Sequence, residues 1–404
     1  MKKIAVITPG FSGSTIPLEK YLVHKGISIE HYQIVHQFCA ELESFPFKFH
    51  SYRFGDWRIS YNNAKEIYDY VQWNDYSLNV LNLPRPLPRI PIINHIMRMA
   101  INIVLYKFCK KINKKYDVVL FFGQYNDLIF HFLVKNIKKE KIVALHEVCN
   151  HRKNDFDILS PLMKEIKQQE LPIVVFSRNS YNSLLKYNVF SSKKIFLLHF
   201  GLFEGYSLYH SKNTFKLPSE YVLYIGSISH HKGLDIFYDA VVSKDNWPCK
   251  FVVAGRGFSE YVEKMKKDKR FLVINHFLTN SEFAELVRNC KFVVCPYRTM
   301  SQSGIPQTAF LFDKPVVASD LDGFKEIIVD KDNGLLFESE NKDALQKSMK
   351  ELLENAVLYN KIKDRINFNF SNDNYLYSWN VIANEYIINF FYDDKLTLAG
   401  NISE

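Results

Sequence analysis

The chain has 404 residues, of which 47% are apolar and 24% charged. At ~100–200 residues per domain this predicts two to three domains, with cores large enough to need no disulfide or metal staple, and it excludes a largely disordered chain. Fifty-two basic residues against 43 acidic ones give a net charge of +9, which suits anionic partners: nucleotides, membrane headgroups or nucleic acid.

Taken from the N-terminus, MKKIAVITPG has no long apolar run and no small-residue cleavage site. It reads as a first strand, 3–8, so a cytosolic protein is expected. A small-residue loop, 9–14, and a helix from about Pro17 follow. Residues 45–81 are rich in Tyr, Trp and Asn and read as loops or an irregular insertion; 84–91 (PRPLPRIP) must be extended or a turn. From 93 to 115, Met97, Ile101, Val104, Phe108 and Ile112 recur at helical spacing. Lys107, Lys110, Lys111, Lys114 and Lys115 crowd the end of that helix. It reads either as a core helix whose cations favour its dipole or as a membrane-surface helix.

Further strands are expected at 117–122, 141–145, 173–176 and 194–198, apolar throughout as buried parallel strands are. None of these runs approaches the ~18–20 residues of a membrane-crossing helix. Residues 205–219 are polar and mixed and read as a linker. A second set of strands is expected at 221–225, 250–254, 271–274, 292–295 and 315–318, with helices at 234–242, 259–267 and 281–289, the last with its N-cap placed at Ser281. Each half is a β-α-β alternation of Rossmann size, so two such domains would face each other with a cleft at the carboxyl ends of both sheets. The six cysteines contain no CxxC and read as scattered reduced thiols.

Two segments carry chemistry. In YVLYIGSISHHKGLDIFYDA, from Tyr221, a strand ends at a glycine and a short loop presents Lys232-Gly233 before a helix, where a lysine can meet a phosphate. In CPYRTMSQSGIPQTAFLF, from Cys295, the polar loop Gln302-Ser303-Gly304 leads into an apolar helix and would aim its amides at an anion. In a parallel sheet both loops emerge at one edge and could hold one diphosphate together.

In order, Lys232-Gly233 after its strand, Val252-Val253-Ala254-Gly255-Arg256-Gly257, Phe277-Leu278-Thr279-Asn280-Ser281-Glu282, Pro315–Ser319 with Gly323 and Glu326, and Asn333-Gly334-Leu335-Leu336-Phe337 resemble the motif series of the retaining glycosyltransferases of the GT-B fold, family 4. The resemblance is strongest over 221–337. It implies an α/β fold of two Rossmann-like domains: an acceptor domain 1–205, a linker 206–219, a nucleotide-sugar donor domain 220–374, a helix 375–392 crossing back to the first domain, with Trp379 buried at the junction, and a tail 393–404.

Residue by residue, the resemblance implies a diphosphate site at Gly13, Ser227, Lys232, Gln302, Ser303 and Gly304. It implies contacts to the base or ribose from Arg256, Phe277, Leu278 and Thr308. Gly10, Phe11, Gln124, Glu147 and Arg178 fall on the acceptor or sugar side, and His146 sits at a strand end near the transferred sugar. His146 and Lys232 are the catalytic candidates. The family commonly has an arginine where this chain has Ser227 and two glutamates where it has Met300 and Thr308; a branch carries Gln-Ser-Gly in that loop, as here. No metal and no other cofactor is implied, and Asp320-Leu321-Asp322 is read as part of the closing loop and not as a metal site. The expected partners are a nucleotide-sugar donor and a glycan or lipid-linked acceptor in surface polysaccharide assembly, with peripheral membrane contact compatible and no nucleic acid. An epimerase of the same fold, a nucleic-acid-binding protein and a non-catalytic scaffold are the rival readings.

Overall fold

The computed structural model describes residues 2–36, 42–48, 54–72, 76–84, 91–124, 127–148, 160–186, 190–210, 213–300 and 302–391. The first sheet holds β1 (Lys3–Thr8), β2 (Ser28–His36), β3 (Gly55–Arg58), β4 (Ser77–Leu83), β5 (Val118–Gly123), β6 (Glu140–Leu145), β7 (Ile173–Val175) and β8 (Ile195–Leu197). Their order is β3-β4-β2-β1-β5-β6-β7-β8, and only β3 runs antiparallel to its neighbour. The second sheet holds β9 (Tyr221–Ile225), β10 (Lys250–Ala254), β11 (Phe271–Ile274), β12 (Phe292–Cys295), β13 (Val316–Ser319) and β14 (Gly334–Phe337), all parallel, in the order β11-β10-β9-β12-β13-β14. The strand order turns back at β1, between β2 and β5, and at β9, between β10 and β12. Crevices open at the carboxyl ends of the strands at such points.

The central strands are buried on both faces because they are apolar at every position: VVLFFG in β5 and FVVC in β12 are fully buried. The segment read as irregular, 45–81, instead supplies β3, the helix Lys65–Val71 and most of β4. Tyr76, Ser77 and Asn79 of this segment are internal. Glu19 receives the Tyr76 hydroxyl at 2.8 Å and faces His31 Nδ1 at 2.8 Å. Asn79 donates to the His31 carbonyl at 3.1 Å and to Ser77 Oγ at 2.7 Å. The first helix runs Ser12–His24 with Pro17 inside it, so the expected start at Pro17 is five residues late and Gly13 lies in the first turn, not in a loop. The cap of Asn280–Asn289 is Thr279, in a capping box with Glu282, and not Ser281. The expected tail and most of the Pro-rich stretch, 85–90, lie outside the described residues.

The helix Pro91–Lys115 covers the first sheet with Leu105, Phe108 and Ile112 buried. Lys111 bonds Asp56 and Lys115 pairs with Glu30 at 2.5 Å, so two of its five clustered lysines are committed to structure. The stretch read as a linker is docked. Tyr206 and Tyr209 pack on Ala284, and Glu285 receives the Thr214 amide at 3.1 Å. The chain then returns: Trp379, Ile382, Ala383, Tyr386, Phe390 and Phe391 join the core of the first domain, and Trp379 Nε1 donates to the Leu202 carbonyl at 2.8 Å.

Candidate active site

A cavity of about 210 Å³ lies between the two sheets at their carboxyl edges. From the first domain it is lined by Phe11 after β1, Glu43 after β2, Gln124 after β5, and His146 and Glu147 after β6; Gln302, Ser303, Gly304 and Gln307 face them from the second, with Phe200 and Phe203 between. A larger depression, about 1110 Å³, sits at the amino ends of β9, β10 and β11, around Pro218, Trp247 and Arg270. Ligands of open α/β sheets bind at the opposite edge. Among the described residues its lining has no orphaned buried polar atom, whereas two residues lining the cleft cavity each have one: His146 Nε2 and Gln307 Oε1 have no hydrogen-bond partner. Buried polar atoms left unpaired are costly, which marks them as built for a ligand or water.

His146 is held by aromatic faces. Phe11 stacks on it with ring centroids 3.6 Å apart and Phe200 with 4.8 Å. Burial alone pushes its pKa down to about 3, so it is a neutral imidazole at neutral pH. It can orient a hydroxyl by one hydrogen bond but does not shuttle a proton there.

On the donor side, the loop after β9 makes a short turn, His230–Lys232, and Gly233 follows in the left-handed region with φ 65°. The loop after β12 is clamped to it. Arg298 reaches both oxygens of Asp235 at 2.9 and 2.5 Å, and its Nη1 donates to the His230 carbonyl at 2.8 Å. Lys232 Nζ donates to the Tyr297 hydroxyl at 2.9 Å and lies 4.0 Å from the ring centroid. Tyr297 also engages the Ser303 side chain. Lys232 and Ser303, 71 positions apart in the chain, therefore meet through one buried tyrosine. Burial pulls the Lys232 pKa down, the signature of an ammonium held without a full counter-charge.

The cavity thus gathers Phe11, Gln124, His146, Glu147, Gln302, Ser303 and Gly304 from the expected set. The other expected residues do not line it. The Gly13 amide is turned onto Glu43 Oε2 at 3.3 Å, and a side chain at Gly13 would meet Phe203 and Ser44, so close packing is what requires this glycine. Gly10 is exposed, with its amide 3.4 Å from Thr8 Oγ1. Ser227, Arg256 and Phe277 are exposed beyond the ends of β9, β10 and β11, and Leu278 packs on the second core. Thr308, expected at the ribose, is buried and gives its hydroxyl to the Gly304 carbonyl at 2.9 Å. The Arg178 amide donates to Glu326 of the other domain at 2.9 Å. Glu43, Phe203, Tyr297 and Gln307 went unnoticed in the sequence. Tyr297 and Gln307 lie inside the segment from Cys295 without being singled out there, and Glu43 and Phe203 sit in no motif.

Among the described residues no three His, Cys, Asp or Glu side chains gather as a metal site, and no helix is long and apolar enough to cross a membrane.

Comparison with known proteins gives the fold and a family match over part of the chain. The profile described as "Glycosyl transferases group 1" matches residues 207–367. An uncharacterized glycosyltransferase of Methanocaldococcus jannaschii is 31% identical over 144 residues, which is 34% of this chain and 39% of that protein, so the chain aligns with well under half of the relative's length. HepE of Anabaena, solved in complex with UDP and glucose, superposes with a TM-score of 0.64 at 12% identity, over 95% of this chain and 98% of that one. TarM gives 0.65 at 14% identity over 97% and 99%. Sucrose-phosphate synthase of Thermosynechococcus elongatus gives 0.61 at 14% identity over 95% and 97%. The chain therefore has the GT-B fold of these proteins, and its residues 207–367 match the glycosyl transferases group 1 profile.

Proposed function

We propose that the protein is a retaining glycosyltransferase that moves a hexosyl group from a UDP- or GDP-sugar to a glycan or lipid-linked glycan in surface polysaccharide assembly. The observation that carries this reading is the cavity lined from the two domains by His146 and Gln307, each with an orphaned polar atom, beside the Lys232–Tyr297–Ser303 link. The UDP and glucose bound by HepE support a uridine donor.

In this reading Lys232 and the Ser303 hydroxyl stabilise the charge that develops on the leaving diphosphate, as fixed donors do for other anions. The acceptor hydroxyl attacks from the face the diphosphate leaves. The new C–O bond forms as the old one breaks, and the hydroxyl proton passes to a departing phosphate oxygen. Neutral His146 orients a sugar hydroxyl. With Lys232 supplying the positive charge, no metal is needed.

The test is a thermal-shift panel of UDP, GDP, ADP, CMP and their sugars, followed by a transfer assay with NMR of the product anomer. One nucleotide at 100 times its Kd should stabilise by about 2.7 kcal/mol, a rise of a few degrees. The product should keep the donor's configuration, and EDTA should leave the rate unchanged. A flat panel sinks the reading.

A second feature bears on the acceptor. On the outward face of Pro91–Lys115, Ile96, Met99, Ile103 and Tyr106 are each more than half exposed, and exposed Lys107, Lys110 and Lys114 continue the same face. The helix follows β4, so its apolar half lies at the cleft edge of the sheet. Leu128, also well exposed, begins the helix after β5 at that edge. An apolar stripe ending in lysines suits the surface of an anionic bilayer, where a lipid-linked acceptor would reside. Cosedimentation with vesicles of phosphatidylcholine and phosphatidylglycerol should show binding that weakens with salt. The double change Ile96→Glu, Ile103→Glu should reduce it at least ~fivefold. Equal pelleting of both proteins would remove the membrane contact from the reading.

A further inference from the structure

Glu43 is the cavity's unexplained group. It stands on a turn after β2 that is fixed from both domains. Leu42 and Phe45 are buried, the Ser12 hydroxyl donates to the Glu43 carbonyl at 3.2 Å, and Asn280 of the second domain donates to the Leu42 carbonyl at 2.8 Å. The carboxyl is therefore held at the cavity wall, where it accepts the Gly13 amide at 3.3 Å. Among the described residues no counter-ion faces it. From the strand ends Glu147 and neutral His146 line the same cavity; at the domain junction Glu204 is occupied by Lys20 at 3.6 Å and by the Tyr70 hydroxyl at 2.6 Å. Among the described residues the second domain presents Gln302, Ser303, Gly304 and Gln307, and the first turn of Ser12–His24 carries no acidic residue. Among the described residues the cavity lining has no cation.

A carboxylate so placed would oppose the negative diphosphate that the same cavity is read to receive. We propose that Glu43 takes up a proton when a nucleotide sugar binds and holds the donor as a neutral acid, its O–H donating to a donor oxygen in the cavity. The proton comes from solvent and no other bond changes. The inference rests on the donor-site reading above. The state of the empty site agrees with it: burial raises the Glu43 pKa to about 7 against the lowering pull of the Gly13 amide, so a bound anion has little further to push.

The experiment is titration calorimetry with UDP-glucose, GDP-mannose and ADP-glucose, whose diphosphate diesters do not themselves titrate near neutrality. For the donor that binds, Kd should weaken about tenfold between pH 6 and pH 8, as proton linkage to a single group requires. Runs at pH 7.5 in two buffers of different ionisation enthalpy should show net proton uptake. Lys232, whose pKa is also lowered, can contribute uptake at higher pH, so the variant decides. Glu43→Gln should bind within about threefold of the wild-type pH 6 affinity, with the pH dependence flattened and the extra uptake gone. Glu43→Leu, a second neutral variant without the donor, should also lose the pH dependence but bind more than tenfold more weakly. Wild-type binding whose pH dependence and proton uptake persist unchanged in both variants overturns the role of Glu43 and leaves the donor site standing. Absence of binding by every nucleotide sugar removes the donor site, and the inference with it.

Discussion

Lys232→Ala should lose nucleotide-induced stabilisation and slow transfer by ~10²–10³-fold, while the empty protein stays as stable as the wild type or becomes slightly more so. The two halves of that result have one cause. The ammonium is half-buried against Tyr297 and is held at a cost, because burial lowers its pKa below the ordinary 10.5. A base whose folded pKa is depressed carries its full penalty at pH values below that pKa, and the penalty fades as pH climbs toward 10.5. At neutral pH, then, removing the charge relieves the fold. Tyr297 keeps a partner in Ser303, so the change strands no buried hydroxyl. The same charge is what a diphosphate would meet. Calorimetric melting with and without the donor checks both halves, and a variant that melts several degrees lower when empty would show that Lys232 is a structural residue instead.

One residue on, Gly233→Ala should do the reverse and damage the fold first. Gly233 has φ 65°, where an L side chain is strained by ~1–2 kcal/mol. A Cβ there would also lie 1.8 Å from the Pro296 carbonyl oxygen, which is backbone and cannot rotate aside. The loop after β9 and the loop after β12 must separate, and Arg298 then loses its grip on Asp235 and the His230 carbonyl. A loss of about 3–5 kcal/mol is expected, the range of strained backbone combined with a broken buried network. The readout is an apparent melting temperature several degrees lower, together with proteolysis concentrated in the second domain. A variant that melts within a degree of the wild type would refute the contact. Adjacent positions of one two-residue motif thus separate function from stability.

Much of the architecture was legible because its strands obey a simple rule. Strands buried on both faces are apolar along their buried run, so β5, β9 and β12, and β6 and β10 after their charged first residues, stand out in the sequence. β2 and β4 break the rule, with Glu30, His31 and Gln33 in one and Ser77, Asn79 and Asn82 in the other. Those side chains are inside because they satisfy one another across neighbouring elements, and no periodicity in a single strand displays a partner on the next. The first helix was hidden by Pro17, which lacks the N–H that would bond back to Gly13 and so reads as a beginning when it is an interior residue. At the site, the Lys-Gly and Gln-Ser-Gly loops were visible as local patterns. Glu43 and Tyr297 were not, since a carboxyl becomes a cleft residue only when a turn between β2 and β3 is pinned by Asn280, some 237 positions further along.

The returning C-terminal segment has a consequence for biogenesis. All eight strands of the first sheet have been synthesised once Leu197 is made. Yet one face of that sheet lacks Trp379, Ile382, Tyr386, Phe390 and Phe391, which leave the ribosome only after the whole buried core of the second domain. The second domain needs no such wait, because its core is drawn from residues between Tyr221 and Ile366. The order of completion is therefore inverted relative to the order of translation. The half made first must stay open, with apolar surface exposed to chaperones, until the half made second has already closed. Sealing the first domain also fastens Trp379 to the Leu202 carbonyl, so the final folding event is the one that brings the two walls of the cleft into register.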